Sequence, residues 1–298
     1  MCGIVGFYAK TPAFREKLGS HLAAMLVEMS ERGPDSAGVA LYRDPAAEGA
    51  VKVVLHAKEG SVDWQGLSEA LGRAFGCRVG LALRGTHAVA SAAAPLPALR
   101  AWLAEHHPAV RLVSAGESIE IYKEKGHPRA VVKHFALEGL SGSHGLGHTR
   151  MATESAVTTE HSHPFSTGQD LCLVHNGSLC NHNRLRARLR KAGVEIQTDN
   201  DSEVAAGYLA WRLSEGDSLE EALERGMGEM DGFYTFAVGT KEGFAVLRDP
   251  IACKHAVLAE TDDWVAMATE YRAIAPLPGA EAARIWEPKP GRVYSWGG

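Results

Sequence analysis

Cys2 is the first residue of this chain with chemistry to offer. Removal of the initiator methionine is expected when a small residue follows it. Cys2 would then carry a free α-amine beside its own thiol. An α-amine has a pKa of about 7.7–8.0. It can take the thiol proton directly or through one water, so that one residue supplies both nucleophile and base. Gly3 beside it lets the backbone pass close to a substrate. Taken alone, a cysteine at this position is a weak signal and reads more readily as a small buried hydrophobe.

Short polar strings elsewhere shift that balance. They are Arg32-Gly33-Pro34-Asp35-Ser36, Gly147-His148-Thr149-Arg150-Met151-Ala152-Thr153, His161-Ser162-His163-Pro164-Phe165, His175-Asn176-Gly177 and Asp199-Asn200-Asp201-Ser202-Glu203. Acyl transfer needs an oxyanion hole made from a side-chain amide and a backbone N–H, and Asn176 and Gly177 offer one of each. An α-amino acid needs a fork-shaped cation for its carboxylate, which Arg150 supplies. Its ammonium needs a carboxylate, which Asp201 supplies. A substrate clamped at both charges would leave its side-chain amide facing Cys2.

Six histidines, at 144, 148, 161, 163, 175 and 182, also invite a metal reading. Their H-x-H and H-x3-H spacings can ligate zinc. Several already belong to the polar strings, and no acidic ligand is regularly interleaved, so no metal is expected. The other cysteines, Cys77, Cys172, Cys180 and Cys253, have no motif around them and are expected as buried thiols.

These residues must be positioned by elements that the patterning also predicts. Gly3–Tyr8 is a short apolar run, expected as a strand. Residues 14–31 carry Leu18, Leu22, Met25, Leu26 and Met29 at helical spacing. Strands are predicted at 37–42, 51–56, 110–114, 119–123, 145–152 and 170–175. Helices are predicted at 62–75, 183–192, 202–213 and 218–227. Past Asp231 the pattern turns to strands at 233–238, 244–248, 255–258 and 264–268. Helices in blocks and strands in hairpins point to α+β layers, not to a doubly wound parallel sheet. Residues 79–135, with the Ala/Pro-rich patch at 91–99, are the least legible and are expected to form an extended insertion within one domain spanning 1–298.

Composition narrows the function further. With 31 basic and 36 acidic residues the net charge is −5, and no basic run occurs, which disfavours nucleic acid and anionic membranes as partners. Five cysteines with no C-x-x-C pair argue against a disulfide framework and for a reducing compartment. The N-terminus lacks a signal-peptide pattern, and the longest apolar stretch is broken by charges and prolines. A cytoplasmic location is expected.

In CGIVGF, RGPDSAG, GHTRMAT, HSHPF, HNG and the DSE-containing segment, the chain resembles the class II glutamine amidotransferases, which are N-terminal-nucleophile hydrolases. Weaker echoes follow at Arg248-Asp249-Pro250, Ala268-Thr269-Glu270 and Pro290-Gly291. The resemblance implies an α+β fold, a four-layer αββα sandwich of two antiparallel sheets. It implies Cys2 as nucleophile, Asn176 and Gly177 as oxyanion hole, and Arg150 and Asp201 as the clamp for L-glutamine. Thr153 and His163 would line the same pocket, and Arg32 would position the N-terminus.

The chain departs from the family at Met151, where several members carry Trp, at His161-Ser162 in place of Asn-Ala, and in a gap of about a hundred residues between RGPDSAG and GHTR. Its layout is most similar to glutaminase subunits of split, glutamate-synthase-like assemblies such as N-methylglutamate synthase. That likeness implies synthase partner subunits carrying FMN and an iron–sulfur cluster, with no cofactor in this chain. The competing expectations are a non-catalytic scaffold that keeps the fold, and an amidase acting on another amide.

Overall fold

The first strand, β1 (Gly3–Ala9), is buried on both faces. Val5, Phe7 and Ala9 point one way and Ile4 the other, into two separate hydrophobic clusters. A strand with period-2 alternation and apolar residues on both sides lies between two layers. This computed structural model describes residues 2–152 and 156–297.

After β1 come α1 (Pro12–Glu16), α2 (Leu18–Glu28), β2 (Ser36–Tyr42), β3 (Val51–His56), α3 (Trp64–Phe75), β4 (Gly80–Arg84) and β5 (His87–Ala92). Next are α4 (Leu96–His106), β6 (Arg111–Gly116), β7 (Ile119–Lys125), α5 (Pro128–His134), β8 (His144–Arg150) and β9 (Cys172–Leu179). The chain continues through α6 (His182–Lys191), α7 (Asp201–Ser214), α8 (Leu219–Glu229), β10 (Gly232–Gly239) and β11 (Gly243–Arg248). It closes with β12 (Val257–Glu260), β13 (Trp264–Ala268), β14 (Arg284–Trp286) and β15 (Val293–Gly297).

Two antiparallel sheets face each other. The larger has the order β14-β12-β13-β1-β8-β2-β7, and the smaller β15-β11-β10-β9. Between them lie Ile4, Ala40, Tyr42, Ile121 and Leu146 from one sheet and Val174, Ala237, Phe244 and Val246 from the other. The helix α2 lays Leu18, Leu22, Met25 and Leu26 on the outer face of the larger sheet. The helices α6, α7 and α8 cover the outer face of the smaller one with Leu185, Leu189, Val204, Tyr208 and Leu223. The result is the expected αββα layering.

A third sheet, β4-β5-β3-β6, is added to it. Its Val53, Leu55 and Ala90 pack under α3 and α4 through Leu67, Leu71, Leu99 and Leu103. Its Val54 and Val89 face Tyr122 and Phe135 of the main body. The stretch 79–135, expected as one insertion, therefore divides: β4, β5, α4 and β6 belong to the third sheet, while β7 and α5 return to the main layers. The third sheet also begins earlier, at Val51, because β3 lies between β5 and β6 rather than beside β2.

Buried polar groups fix the return. The Asp170 carboxylate accepts the backbone N–H groups of Glu117 at 2.6 Å, Ser118 at 2.8 Å and Ile119 at 3.0 Å. Glu120 takes Lys52 and Arg43, each at 3.0 Å, and the Tyr122 hydroxyl at 2.6 Å. These bonds satisfy donors that would be costly to bury alone.

Candidate active site

The register of β1 against β8 ends at Gly3 opposite Thr149. Cys2 precedes the strand by one residue, next to this end of the β1–β8 ladder. The Cys2 carbonyl accepts from Arg32 Nε at 3.1 Å and from Asn176 Nδ2 at 3.2 Å. Arg32 is itself anchored to Glu270, which also receives Arg272 Nε at 2.7 Å. The next backbone group, Ile4 N–H, donates to Thr269 Oγ1 at 2.8 Å. Three separate segments thus fix the start of the chain. At Gly3 an added Cβ would come within 2.8 Å of Thr149 Oγ1 and 2.9 Å of Met29 Cβ, so no side chain fits there. The Cys2 thiol is partly exposed and lies 3.8 Å from the Met151 carbonyl oxygen.

The turn after α2 holds the far end of β8. Gly33 packs directly on the backbone of Thr149 and Arg150, where a Cβ would collide. Asp35 N–H donates to the Arg150 carbonyl at 3.1 Å, and Asp35 Oδ2 accepts Ala152 N–H at 2.8 Å. The RGPDS string therefore serves as a brace for the strand that carries Arg150. The Arg150 side chain is buried, and its Nη1 donates to the Ala156 carbonyl at 3.2 Å.

Asn176 and Gly177 lie on β9, beside Thr235 and Tyr234 of β10. Gly177 has φ +144°, and a Cβ there would run into the Phe233 carbonyl, so only glycine serves. Asn176 Nδ2 divides its two hydrogens between the Cys2 carbonyl and Thr269 Oγ1, the latter at 3.1 Å. Its Oδ1 is buried without a hydrogen-bond partner among the described residues.

The opposite wall is built on α7. Asn200 caps the helix by accepting Ser202 N–H at 2.9 Å, and Asp201 and Glu203 occupy the first turn, where the helix dipole favours carboxylates. Asp201 Oδ2 accepts Leu179 N–H at 2.9 Å. Ser202 Oγ bridges His163 Nε2 at 2.8 Å and His175 Nδ1 at 2.9 Å. His148 stacks on His163 with centroids 4.0 Å apart, and its Nε2 donates to the His175 carbonyl at 3.1 Å. Burial pushes His148 down to about 3 and His163 well below the ordinary imidazole range, and the nearby Arg150 charge adds to both shifts. Burial also lowers His175, against the pull of Asp201. These rings are neutral at pH 7 and act as packing and hydrogen-bonding parts, not as proton carriers.

The structure brings Cys2, Arg32 and Asn176 into direct contact and sets the Cys2 thiol beside Met151, the residue after Arg150. His163 and Asp201 meet through Ser202, which is joined by His175 to the strand bearing Asn176 and Gly177. Thr153, expected in the same pocket, lies outside the described residues.

Several residues were not singled out by sequence. Thr269 accepts from both Ile4 and Asn176, and Glu270 anchors Arg32. Their only signal was the weak Ala-Thr-Glu string. Lys123 is buried, and its Nζ donates to the carbonyls of Ser162, Pro164 and Glu160 at 2.8, 3.2 and 3.3 Å, so it shapes the loop that presents His163. Burial lowers this ammonium to about 8. Arg248 ties down its own neighbourhood, donating to Pro288 and Ala252 carbonyls. Among the described residues no group of three or more His, Cys, Asp or Glu is arranged to hold a metal ion. Of the four cysteines expected to be buried, Cys180 and Cys253 are exposed, because they sit where β9 turns into α6 and in the loop after β11.

A family described as a glutamine amidotransferase domain matches residues 148–276. The "Glutamine amidotransferase-like protein GlxB" of Rhizobium meliloti (strain 1021) is 53% identical over 297 residues, covering 99% of this chain and 98% of that protein. The amidophosphoribosyltransferase of Methanocaldococcus jannaschii is 28% identical over 190 residues, covering 61% of this chain and 40% of that protein. Among solved structures, the glutamine phosphoribosylpyrophosphate amidotransferase of B. subtilis has the same fold, with a TM-score of 0.63 at 18% identity over 99% of this chain and 47% of its own. With a relative more than half identical along almost all of both chains, and with the αββα layers in place, the chain belongs to the glutamine amidotransferase family.

Proposed function

We propose that the chain hydrolyses the side-chain amide of L-glutamine, with Cys2 as nucleophile. The observation that carries this reading is the double hold on the Cys2 carbonyl by Arg32 and Asn176, which sets the thiol between the β8 end bearing Arg150 and the β9 segment bearing Asn176 and Gly177. Once Met1 is removed, the free amine of Cys2 takes the thiol proton. The thiolate then attacks the amide carbon, and the negative oxygen is received by Asn176 Nδ2 and the Gly177 N–H. Collapse of that intermediate expels ammonia, which leaves with the proton held by the amine. A water then hydrolyses the thioester and releases glutamate.

In the described state Asn176 Nδ2 is engaged by Cys2 O and Thr269. To serve the oxyanion it must swing off the Cys2 carbonyl. Arg32 keeps that carbonyl in place meanwhile, a reason for two donors on one acceptor. Arg150 would receive the glutamine carboxylate and Asp201 the ammonium, with His163 and Thr153 lining the pocket.

The finer proposal is that ammonia, or a glutamyl group, passes to a separate synthase subunit of a glutamate-synthase-like complex, such as an N-methylglutamate synthase, whose partners carry FMN and an iron–sulfur cluster. The likeness of the chain's motif strings to glutaminase subunits of such assemblies motivates it, and co-purification of a flavin-bearing subunit from the native host tests it. The hydrolytic reading is tested by two variants. Cys2→Ala is expected to abolish glutamine turnover, whereas Cys77→Ala retains it. Equal activity of the two would remove Cys2 as nucleophile and favour the scaffold.

A further inference from the structure

We propose that the cavity between the third sheet and the main layers binds a small monocarboxylate, with Arg111 as its anchor. None of Cys2, Arg150, Asn176 or Asp201 lines this cavity. One wall is the end of the β3–β6 ladder, where His56 pairs with Arg111. The other is the 159–167 loop together with residues 195–203 ahead of and inside the first turn of α7. It offers about 50 Å³ to water-sized occupants. A single water needs at least about 10–15 Å³ by that measure, so three or four heavy atoms fit, the size of a small carboxylate.

The hydrogen-bond inventory selects the chemistry. Two of the three carboxylates on the walls, Glu203 and Glu195, are engaged. Glu203 accepts from the backbone N–H groups of Gln197 and Thr198 at 2.8 and 2.6 Å and from the Thr198 hydroxyl at 2.5 Å. Glu195 takes Arg100 at 3.4 Å. Glu160 lies within electrostatic reach of Arg111, which helps hold its carboxyl below the usual range, but the two are not within ion-pair distance. On the donor side, the three protons of Lys123 are taken by carbonyls. The Arg111 guanidinium, however, makes no hydrogen bond or ion pair among the described residues, and the Thr167 hydroxyl is buried with no partner among them. The Arg111 guanidinium and the Thr167 hydroxyl are thus donors with no acceptor within bonding distance among the described residues. A planar two-oxygen acceptor matches the guanidinium fork. The formal charges of Arg100, Arg111 and Lys123 balance those of Glu160, Glu195 and Glu203. A singly charged anion suits such a wall better than a polyanion, which would face Glu160 and Glu203 as well.

Calorimetric titration of the full chain with sodium acetate, with sodium phosphate and sodium chloride at matched ionic strength, tests this. Acetate is expected to bind one site saturably with a Kd on the order of 1 mM, the scale reached by a four-heavy-atom ligand. Phosphate is expected to bind more weakly, and chloride not at all. Arg111→Gln should weaken acetate tenfold or more, and Thr167→Val less. Arg111→Lys, which keeps the charge but loses the fork, should fall between wild type and Arg111→Gln, and decides the matter if Arg111→Gln fails to fold. Arg150→Lys, at the carboxylate clamp of the proposed glutamine pocket, should bind acetate as the wild type does, since Arg150 does not line this cavity. Acetate heats no larger than those of chloride, affinity unchanged in the Arg111 variants, or phosphate binding tighter than acetate would each overturn the proposal.

Discussion

Lowering the pH from 7 to 5 is expected to cost this fold about 6 kcal/mol through three buried imidazoles. Burial holds His87 at about 2, His144 at about 4 and His148 at about 3. In the unfolded chain each titrates near 6.5. Below that value the unfolded state binds protons that the folded state refuses, so stability falls with pH. The loss begins near pH 7 and continues down to the folded values of about 4 to 2. Each group contributes about 1.9 kcal/mol between pH 7 and 5, by integrating the proton-uptake difference. The sum is comparable with the whole margin of a typical domain, about 5–15 kcal/mol.

His163 and His175 are lowered in the same direction and add to the effect. Lys123 does not act in this window, because its folded value near 8 and its unfolded value both lie above it. The assay is urea unfolding at pH 7, 6, 5.5 and 5 at constant ionic strength. Below pH 5.5 the slope should reach at least about 4 kcal/mol per pH unit, the value for three protons. His144→Gln isolates one of them. His144 Nε2 lies 2.8 Å from the Thr240 carbonyl, a bond a glutamine amide can also make. That variant should reduce the slope by about 1.4 kcal/mol per pH unit. Flat stability from pH 7 to 5, or an unchanged slope in His144→Gln, would refute the reasoning.

Arg150→Lys should raise the KM for glutamine about 10–100-fold with little change in kcat, because an ammonium cannot reproduce a two-point hold on a carboxylate. An unchanged KM would place the substrate carboxylate elsewhere. Asn176→Ala should lower kcat by about 10²–10³, the usual loss for one oxyanion donor, and a kcat within threefold of wild type would exclude it from the hole. Asp170→Ala should destabilise the fold by about 2–4 kcal/mol in urea unfolding, because three backbone N–H groups lose their acceptor. Its glutamine KM should be unaffected, and a stability change below about 0.5 kcal/mol would show those groups are satisfied by water.

The site was largely legible because its chemistry sits in short strings at strand ends and helix starts. The HNG string marks an asparagine followed by a glycine whose φ of +144° no other residue adopts easily, and the Asp-Ser-Glu string opens α7 with acids in its first turn. The apolar spacing of 14–31 likewise gave the face that α2 buries, although Lys17 divides the run into two helices. The third sheet was not legible as a unit. Its strand β3 is readable by itself, but nothing local says that it pairs with β5 and β6 rather than β2. The strand β4 is an exposed edge with little apolar pattern, and prolines at 95 and 97 mask the start of α4. The roles of Lys123, Asp170 and Ser202 were not legible for a related reason. Each is an ordinary polar residue whose role comes from being buried by distant segments and from bonds to groups far away in sequence.

Intact mass of the purified protein, before and after exposure to an electrophilic glutamine analogue, tests the proposed chemistry most directly. A processed nucleophile predicts a mass lacking Met1 and the gain of one adduct that maps to Cys2. Retention of Met1 with no adduct, even with synthase subunits present, would contradict it.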